Sequence, residues 1–407
     1  KGVMLSHRNF LSHVAAVLKA FSIDSTDTHL SFLPLSHVFE RMAGWYLMMT
    51  AGATIAYAES MDTIPQNMAE VRPTVMLGVP RFFEKLYARV QEGIRQSSPL
   101  KRRLAGWALS VGRQATPYRL TQRPPPALLR MQFAVADHLV FAKLRRRLGE
   151  RLKFFVSGGA PLSKSIAEFF SSAGITILEG YGLTETSPVI TVNRLMAVKF
   201  GSVGQALDGV EVRIAGDGEI LTRGPHIMQG YYRRPQDTAA AITDGWFHTG
   251  DIGHLDAEGF LTITDRKKDL IKTAGGKFVA PQKLENLCVA DPYIAQAFVY
   301  GDRERYCVAL IVPNFQRLAE QAAAQGWAAR TPEGLAASAQ ATAFIWSRIQ
   351  ALQQGLPSFE QIKAIALLGQ EFTQGAGELT PTLKAKRAAI AAKYQDALQR
   401  LYEKPAA

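Results

Sequence analysis

Residues 179–186, EGYGLTET, gather an acid, two glycines, an aromatic ring, hydroxyls and a second carboxylate in one short run. Tyr181 offers a flat face on which a purine can stack, and Gly180 and Gly182 keep the backbone open beside it. Thr184 can donate to a phosphate oxygen. Glu185 is a hard oxygen ligand suited to Mg2+ bridging the phosphates of a nucleotide. Upstream, Gly158-Gly159-Ala160 in SGGAPLS follows a strand-like run and precedes a helix-like one. Glycines there let the backbone approach a ring or a phosphate, and a helix N-terminus adds partial positive charge. Alone, the same turn is an ordinary strand-to-helix connection. Asp251, in HTGD, follows a Thr-Gly turn from which a carboxylate could accept both hydroxyls of a ribose. Such an acid can equally serve the turn itself.

These residues need a scaffold, and the hydrophobic pattern supplies one. Apolar, β-rich runs at 29–33, 54–57, 75–79, 153–157 and 176–179 alternate with amphipathic stretches at 9–21, 64–71 and 164–173. That alternation predicts an α/β domain with parallel strands and crossover helices. Residues 42–58 carry no charge, but Gly52 divides a helical pattern from the strand-like ATIAYA, which predicts a buried helix and then a buried strand rather than a membrane span. The helical region 80–150 cannot be one helix, because Pro124, Pro125 and Pro126 interrupt it. From 204 to 264, short alternating strands with Gly-rich turns predict a small antiparallel β subdomain. Past Asp265 the pattern predicts a separate α+β domain, with strands at 297–300 and 308–312, Ala/Gln-rich helices, and a helical tail over 385–402. The domain division expected is 1–264 and 265–407, with a hinge at Asp265.

The 407 residues, 47% of them hydrophobic, suffice for two domains with sizeable cores. Cys288 and Cys307 match neither a disulfide framework nor a metal cluster, and reduced thiols in a cytoplasmic protein are the simplest reading. The net charge of +12 is concentrated: residues 81–153 hold 17 Lys/Arg against 4 Asp/Glu. Such a block can meet an anionic membrane surface, here the inner face, or be a solvated helical surface. No nucleic-acid-binding signature accompanies it, so nucleic acid is not expected.

The run DGWFHTGDIGHLDAEGFLTITDRKKDLIK at 244–272, together with YGLTET upstream and GELTPTLKAKR at 377–387, resembles the fatty-acyl-CoA synthetases among the adenylate-forming, AMP-binding enzymes. The opening KGVMLSH is similar to the second half of that family's phosphate loop. It implies a preceding segment, phosphate contact for Lys1, and little adenylation by the chain without that segment. The resemblance implies that Gly158, Gly159, Ala160, Glu179, Gly180, Tyr181, Gly182, Thr184, Asp251 and Arg266 face the nucleotide. It also implies that Glu185 holds Mg2+ and that His37, in PLSHVFER, orients the acyl carboxylate. Lys384 matches the lysine spanning carboxylate and α-phosphate, and Gly275 and Gly276 match a pantetheine channel, although such a pair is also an ordinary hairpin turn. The implied partners are a fatty acid, ATP and coenzyme A. VRPTVMLGVPRFFEKLYARV and the long basic insertion resemble long-chain synthetases. Enzymes that load a carrier protein would keep every nucleotide motif. A luciferase-like oxidase, or a non-enzymatic lipid-binding or scaffold protein, stands further away.

Overall fold

The computed structural model describes residues 1–380 and 385–403. The chain divides into two compact units, Lys1–Thr249 with Gly253–Ile263, and Gly250–Ile252 with Thr264–Ala407.

The first unit is built on a seven-stranded sheet. Its spatial order is Thr54–Tyr57, Thr28–Ser31, Val75–Gly78, Phe154–Ser157, Ile177–Gly182, Val189–Val192, Gln205–Ala206. The first five strands run parallel, Val189–Val192 runs against them, and Gln205–Ala206, antiparallel to Val189–Val192, runs with the first five again. Side chains alternate between faces. Val75, Leu77, Phe154 and Leu178 pack with Val14 and Val17 of the helix His7–Ala20 and with Met42 and Leu47. Met76, Phe155 and Ile177 face the other way, onto Ile166 and Phe170 of the helix Lys164–Ser172 and onto Ala108 and Val111. A sheet covered on both faces requires near-continuous apolar runs, which is why 75–79 and 153–157 were readable as strands.

The strand at 54–57 departs from the buried strand expected there. Thr54–Tyr57 is a strand but not a buried one: it lies at the sheet edge, with Thr54 and Tyr57 exposed. An edge strand has a neighbour on one side only, and the apolar run could not reveal that position. The helix before it begins as a π-helix, Glu40–Tyr46, continues as Leu47–Ala51 and stops at Gly52, whose φ of +71° suits glycine. The basic region forms helices Pro80–Arg95, Pro99–Leu120, Ala127–Ala136 and Ala142–Arg147, with a π-turn at Asp137–Phe141. The three prolines fall between the second and third. Among the described residues no helix is long and apolar enough to cross a membrane.

A five-stranded sheet follows, ordered Ile242–Thr243, Trp246–Leu255, Glu219–Arg223, Glu211–Ile214, with Leu261–Arg266 also on Trp246–Leu255. Its hairpins are antiparallel.

In the second unit a three-stranded sheet has Cys307–Pro313 at its centre, antiparallel to Ile294–Tyr300 and parallel to Ile362–Leu367. The central strand is buried throughout, with Cys307, Ala309 and Ile311 in one core and Val308, Leu310 and Val312 in another. Both cysteines are buried and unbridged, and burial pushes each thiol up to about 12. The tail is not the single helix expected over 385–402. It forms Arg387–Lys393 and Gln395–Glu403, broken at Tyr394. The Tyr394 hydroxyl donates to Glu378 Oε1 at 3.0 Å and Lys393 Nζ pairs with the same oxygen at 2.8 Å. Two tertiary contacts to one buried acid thus coincide with the break, where helix propensity alone would continue.

Candidate functional site

Thr28–Ser31, Val75–Gly78, Phe154–Ser157 and Ile177–Gly182 are consecutive neighbours running in one direction. The segments after their C-terminal ends therefore share one edge of the sheet, where open α/β folds place ligands. That edge receives PLSHVFE after the first strand, Gly158-Gly159-Ala160 after the third and LTET after the fourth. The Gly158 N–H donates to the Gly78 carbonyl at 3.1 Å. A Cβ on Gly158 would lie 3.1 Å from the Phe39 ring, so the glycine turn and the His37 segment touch. Gly159 has φ +85° and Ala160 is exposed at the rim. The Phe39 N–H donates to His37 Nδ1 at 3.3 Å, which places the proton of a neutral imidazole on Nε2.

Glu179 is buried in its strand. Burial raises its carboxyl to about 7, opposed by a hydrogen bond from the Leu162 backbone. It therefore braces the 158–163 turn from beneath. Gly182 has no alternative: a Cβ there would sit 1.6 Å from the Pro188 carbonyl oxygen. Gly180 is packed against Val192, and the Tyr181 ring is buried in a small cluster with Ile190, Ile220 and Leu261.

Thr184–Thr186 forms one 3₁₀ turn, with Thr184 exposed and Glu185 half-buried. The Glu185 carbonyl accepts from the Met228 N–H at 2.8 Å, and Glu185 Oε1 accepts from the Tyr231 hydroxyl at 2.9 Å. Burial and this acceptor both hold the Tyr231 phenol protonated, well above its usual range. Tyr231 belongs to the strand Gly230–Tyr231, which pairs with Val3–Met4 and so carries the start of the chain to the same place. Lys1 Nζ lies 4.6 Å from the centre of the Tyr231 ring and 2.8 Å from Asp237. The structure thus unites Lys1 and Glu185 through Tyr231, with Asp237 beside them. Sequence reasoning missed Tyr231 and Asp237, because neither GYYRRP nor PQDT carries a spacing that announces a partner for Glu185.

Among the described residues no group of three or more His, Cys, Asp or Glu could hold a metal ion. Mg2+ that arrives with nucleotide phosphates needs only one or two carboxylates, and Glu185, fixed by one hydrogen bond and half-exposed, fits that demand.

The remaining candidates lie in the second unit. Asp251 does not follow a turn, as expected from Thr-Gly. It lies within the strand Trp246–Leu255, because Gly250 takes φ +71° and kinks the strand without ending it. Asp251 is buried, and Arg266 Nε meets its Oδ1 at 3.1 Å. The Gly250 carbonyl accepts from the Lys267 N–H at 2.8 Å, which ties the kink to the segment beyond Asp265. Asp265 is buried. Burial raises its carboxyl to about 6, and among the described residues its Oδ2 has no hydrogen-bond partner. Gly275 and Gly276 form the tip of a hairpin between Ile271–Lys272 and Phe278–Val279, with Gly276 at φ +74°. Among the described residues no heavy atom lies within 4 Å of a Cβ built on Gly276, so backbone conformation rather than crowding favours glycine there. Lys384 lies outside the described residues.

The profile of the AMP-binding enzyme family matches residues 1–232, and that of the AMP-binding enzyme C-terminal domain matches 268–406. The chain is 37% identical over 417 residues to the long-chain-fatty-acid–CoA ligase FadD15 of Mycobacterium tuberculosis, covering 99% of this chain and 67% of that one. It is 33% identical over 423 residues to long-chain-fatty-acid–CoA ligase 5 of Mus musculus, covering 99% of this chain and 60% of that one. Among solved structures, the A-PCP didomain of a carboxylic acid reductase from Segniliparus rugosus, in complex with AMP, superposes with a TM-score of 0.73 at 25% identity. That match covers 98% of this chain and 51% of the other.

Proposed function

Because this chain belongs to the AMP-binding enzyme family, matched by profile over most of its length, we propose that it activates a long-chain fatty acid with ATP and transfers the acyl group to coenzyme A. In the first half-reaction a carboxylate oxygen attacks the α-phosphorus and the bond to pyrophosphate breaks. In the second, the coenzyme A thiolate attacks the acyl carbonyl and AMP leaves. The observation that carries the reading is the row of loop motifs at one sheet edge, with Glu185 fixed by Tyr231.

Each residue then has a part. Thr184 donates to the α-phosphate, and Glu185 would hold Mg2+, which would supply neutralisation of phosphate charge. Lys1 meets the outer phosphates. Gly158, Gly159, Ala160, Gly180, Tyr181 and Gly182 shape the purine slot, and Glu179 positions the first of these turns from below. Asp251 accepts the ribose hydroxyls while Arg266 holds its carboxylate. His37 orients the acyl carboxylate, which is already ionised at neutral pH. Lys384 bridges that carboxylate and the α-phosphate in the first step. The Gly275–Gly276 hairpin faces pantetheine in the second, after rotation about Asp265 between a domain of 1–264 and one of 265–407. Fixed donors and cations aimed at the transferring group are the means by which such sites lower a barrier.

The substrate class follows the names of the curated relatives, all fatty-acid–CoA ligases where described above. The likeness to an adenylation–carrier didomain favours a second reading, in which a carrier protein replaces coenzyme A as acceptor. ATP–pyrophosphate exchange across fatty acids, repeated with coenzyme A and followed by thioester analysis, tests the first reading and separates it from the second. The cationic segment 81–153 fits peripheral contact with an anionic lipid surface on the cytoplasmic side.

A further inference from the structure

The helix Ala127–Ala136 and its π-turn Asp137–Phe141 are apolar on two sides. One side is satisfied: Leu129, Phe133, Ala136, Val140 and Phe141 pack into the core beneath the sheet. The other carries Leu128, Met131, Val135 and Leu139, which are 63%, 61%, 46% and 39% exposed. Their spacing of three, four and four residues sets them in one stripe along the helix. A buried helix needs only its inward face apolar, so packing does not explain the outward stripe.

Charge identifies what the stripe fits. Between residues 99 and 147 there are 11 Lys/Arg and a single acid, Asp137. Asp137 is matched by Arg145 at 2.7 Å. Arg119 is turned inward, over the Phe133 ring and onto the Ser171 carbonyl. The other cations are exposed, with Arg130 and Lys143 on the same helical run as the stripe and Arg123 just before it. Lys101, Arg102 and Arg103 lie on the adjoining helix, near the exposed Leu100 and Trp107. An apolar ridge on a helical run whose exposed charges are cations, and whose one acid is already paired, is complementary to an anionic bilayer surface. Acyl chains receive the ridge and headgroups receive the rim.

We propose that the Leu128–Met131–Val135–Leu139 ridge inserts shallowly into the surface of an anionic membrane, with Arg130 and Lys143 against the headgroups. This rests on the peripheral contact read above from the charge of 81–153 and names the face that penetrates. It does not depend on the catalytic reading.

The test is co-sedimentation of the full chain with phosphatidylcholine vesicles, with and without phosphatidylglycerol, for the parent and two double variants. Leu128→Ser with Leu139→Ser removes apolar contact at exposed positions. Arg130→Glu with Lys143→Glu reverses rim charge. Circular dichroism checks that both fold. The parent is expected to bind only phosphatidylglycerol vesicles, less so in high salt, and each double variant to lose about tenfold in partition. Parent-like binding by the Leu128/Leu139 variant overturns insertion while leaving electrostatic adsorption intact. Absence of phosphatidylglycerol-dependent binding by the parent overturns both. Lipid-free dimerisation that the Leu128/Leu139 variant abolishes assigns the ridge to a second copy and also overturns the proposal.

Discussion

Tyr231→Phe isolates the contact on which the phosphate end of the site depends. The change keeps the ring, its packing with Met228 and Phe247, and its place under Lys1. It deletes only the hydroxyl that donates to Glu185 at 2.9 Å. A hydrogen bond to a charged group contributes about 1.5–3 kcal/mol. Glu185 is half-exposed, so solvent replaces part of this, and about 1–2 kcal/mol is expected. If that positioning acts mainly on the transition state, kcat/KM should fall roughly five- to thirtyfold. Glu185→Gln should cost more than Tyr231→Phe, above about thirtyfold, because it removes the charge that would hold Mg2+. On the Glu185→Gln background Tyr231→Phe should cost much less, since the two side chains act as a pair. Pyrophosphate exchange at limiting Mg2+ is the assay, with thermal midpoints recorded alongside. Parent-like exchange by Tyr231→Phe, or additive losses in the double variant, would refute the idea that Tyr231 positions Glu185.

Asp251→Ala should mainly raise the apparent constant for ATP, because a ribose contact serves ground and transition states alike. An unchanged constant with lowered stability would make Asp251 a structural partner of Arg266 only. Lys384→Ala should suppress adenylate formation but spare thioester formation from supplied acyl-adenylate, and Gly276→Trp the reverse. Equal impairment of one half-reaction by both would contradict domain alternation. Burial lowers His13 to about 3 and His226 to about 4, with the charge of His226 adding to the effect on His13. Both are neutral when folded, so the stability they confer is present above about pH 6.5 and is lost as pH falls toward their folded values, by up to about 1.4 kcal/mol per pH unit for each. Buried Glu179, raised to about 7, acts in the opposite sense. The observable is therefore the difference in melting temperature between parent and His13→Gln, which should narrow from pH 6.5 to 4; a constant difference would contradict it.

What could be read from the sequence was what depends on local pattern. The strands at 75–79 and 153–157 announced themselves because both faces are covered, leaving no polar alternation. Gly52 and the three prolines marked real ends of helices, since φ and the missing N–H act locally. What escaped depends on distant partners. The edge position of Thr54–Tyr57 is set by sheet order. Thr249 and Gly250 read as a turn because glycine often ends a strand, whereas here it only bends one. The strand Ile362–Leu367 lay in a stretch without diagnostic motifs and is defined by pairing with Cys307–Pro313. The catalytic motifs were legible as runs of residues, yet Tyr231, far along the chain from Glu185, emerged only when folding joined them.

Incubation of the protein with ATP, Mg2+, a long-chain fatty acid and coenzyme A, with AMP, pyrophosphate and thioester followed together, decides whether it is an acyl-CoA ligase. The expected result is fatty-acid-dependent pyrophosphate release, with acyl-CoA and AMP formed in equal amounts. Acyl-chain binding without ATP consumption, or adenylate that never passes to coenzyme A, would contradict it.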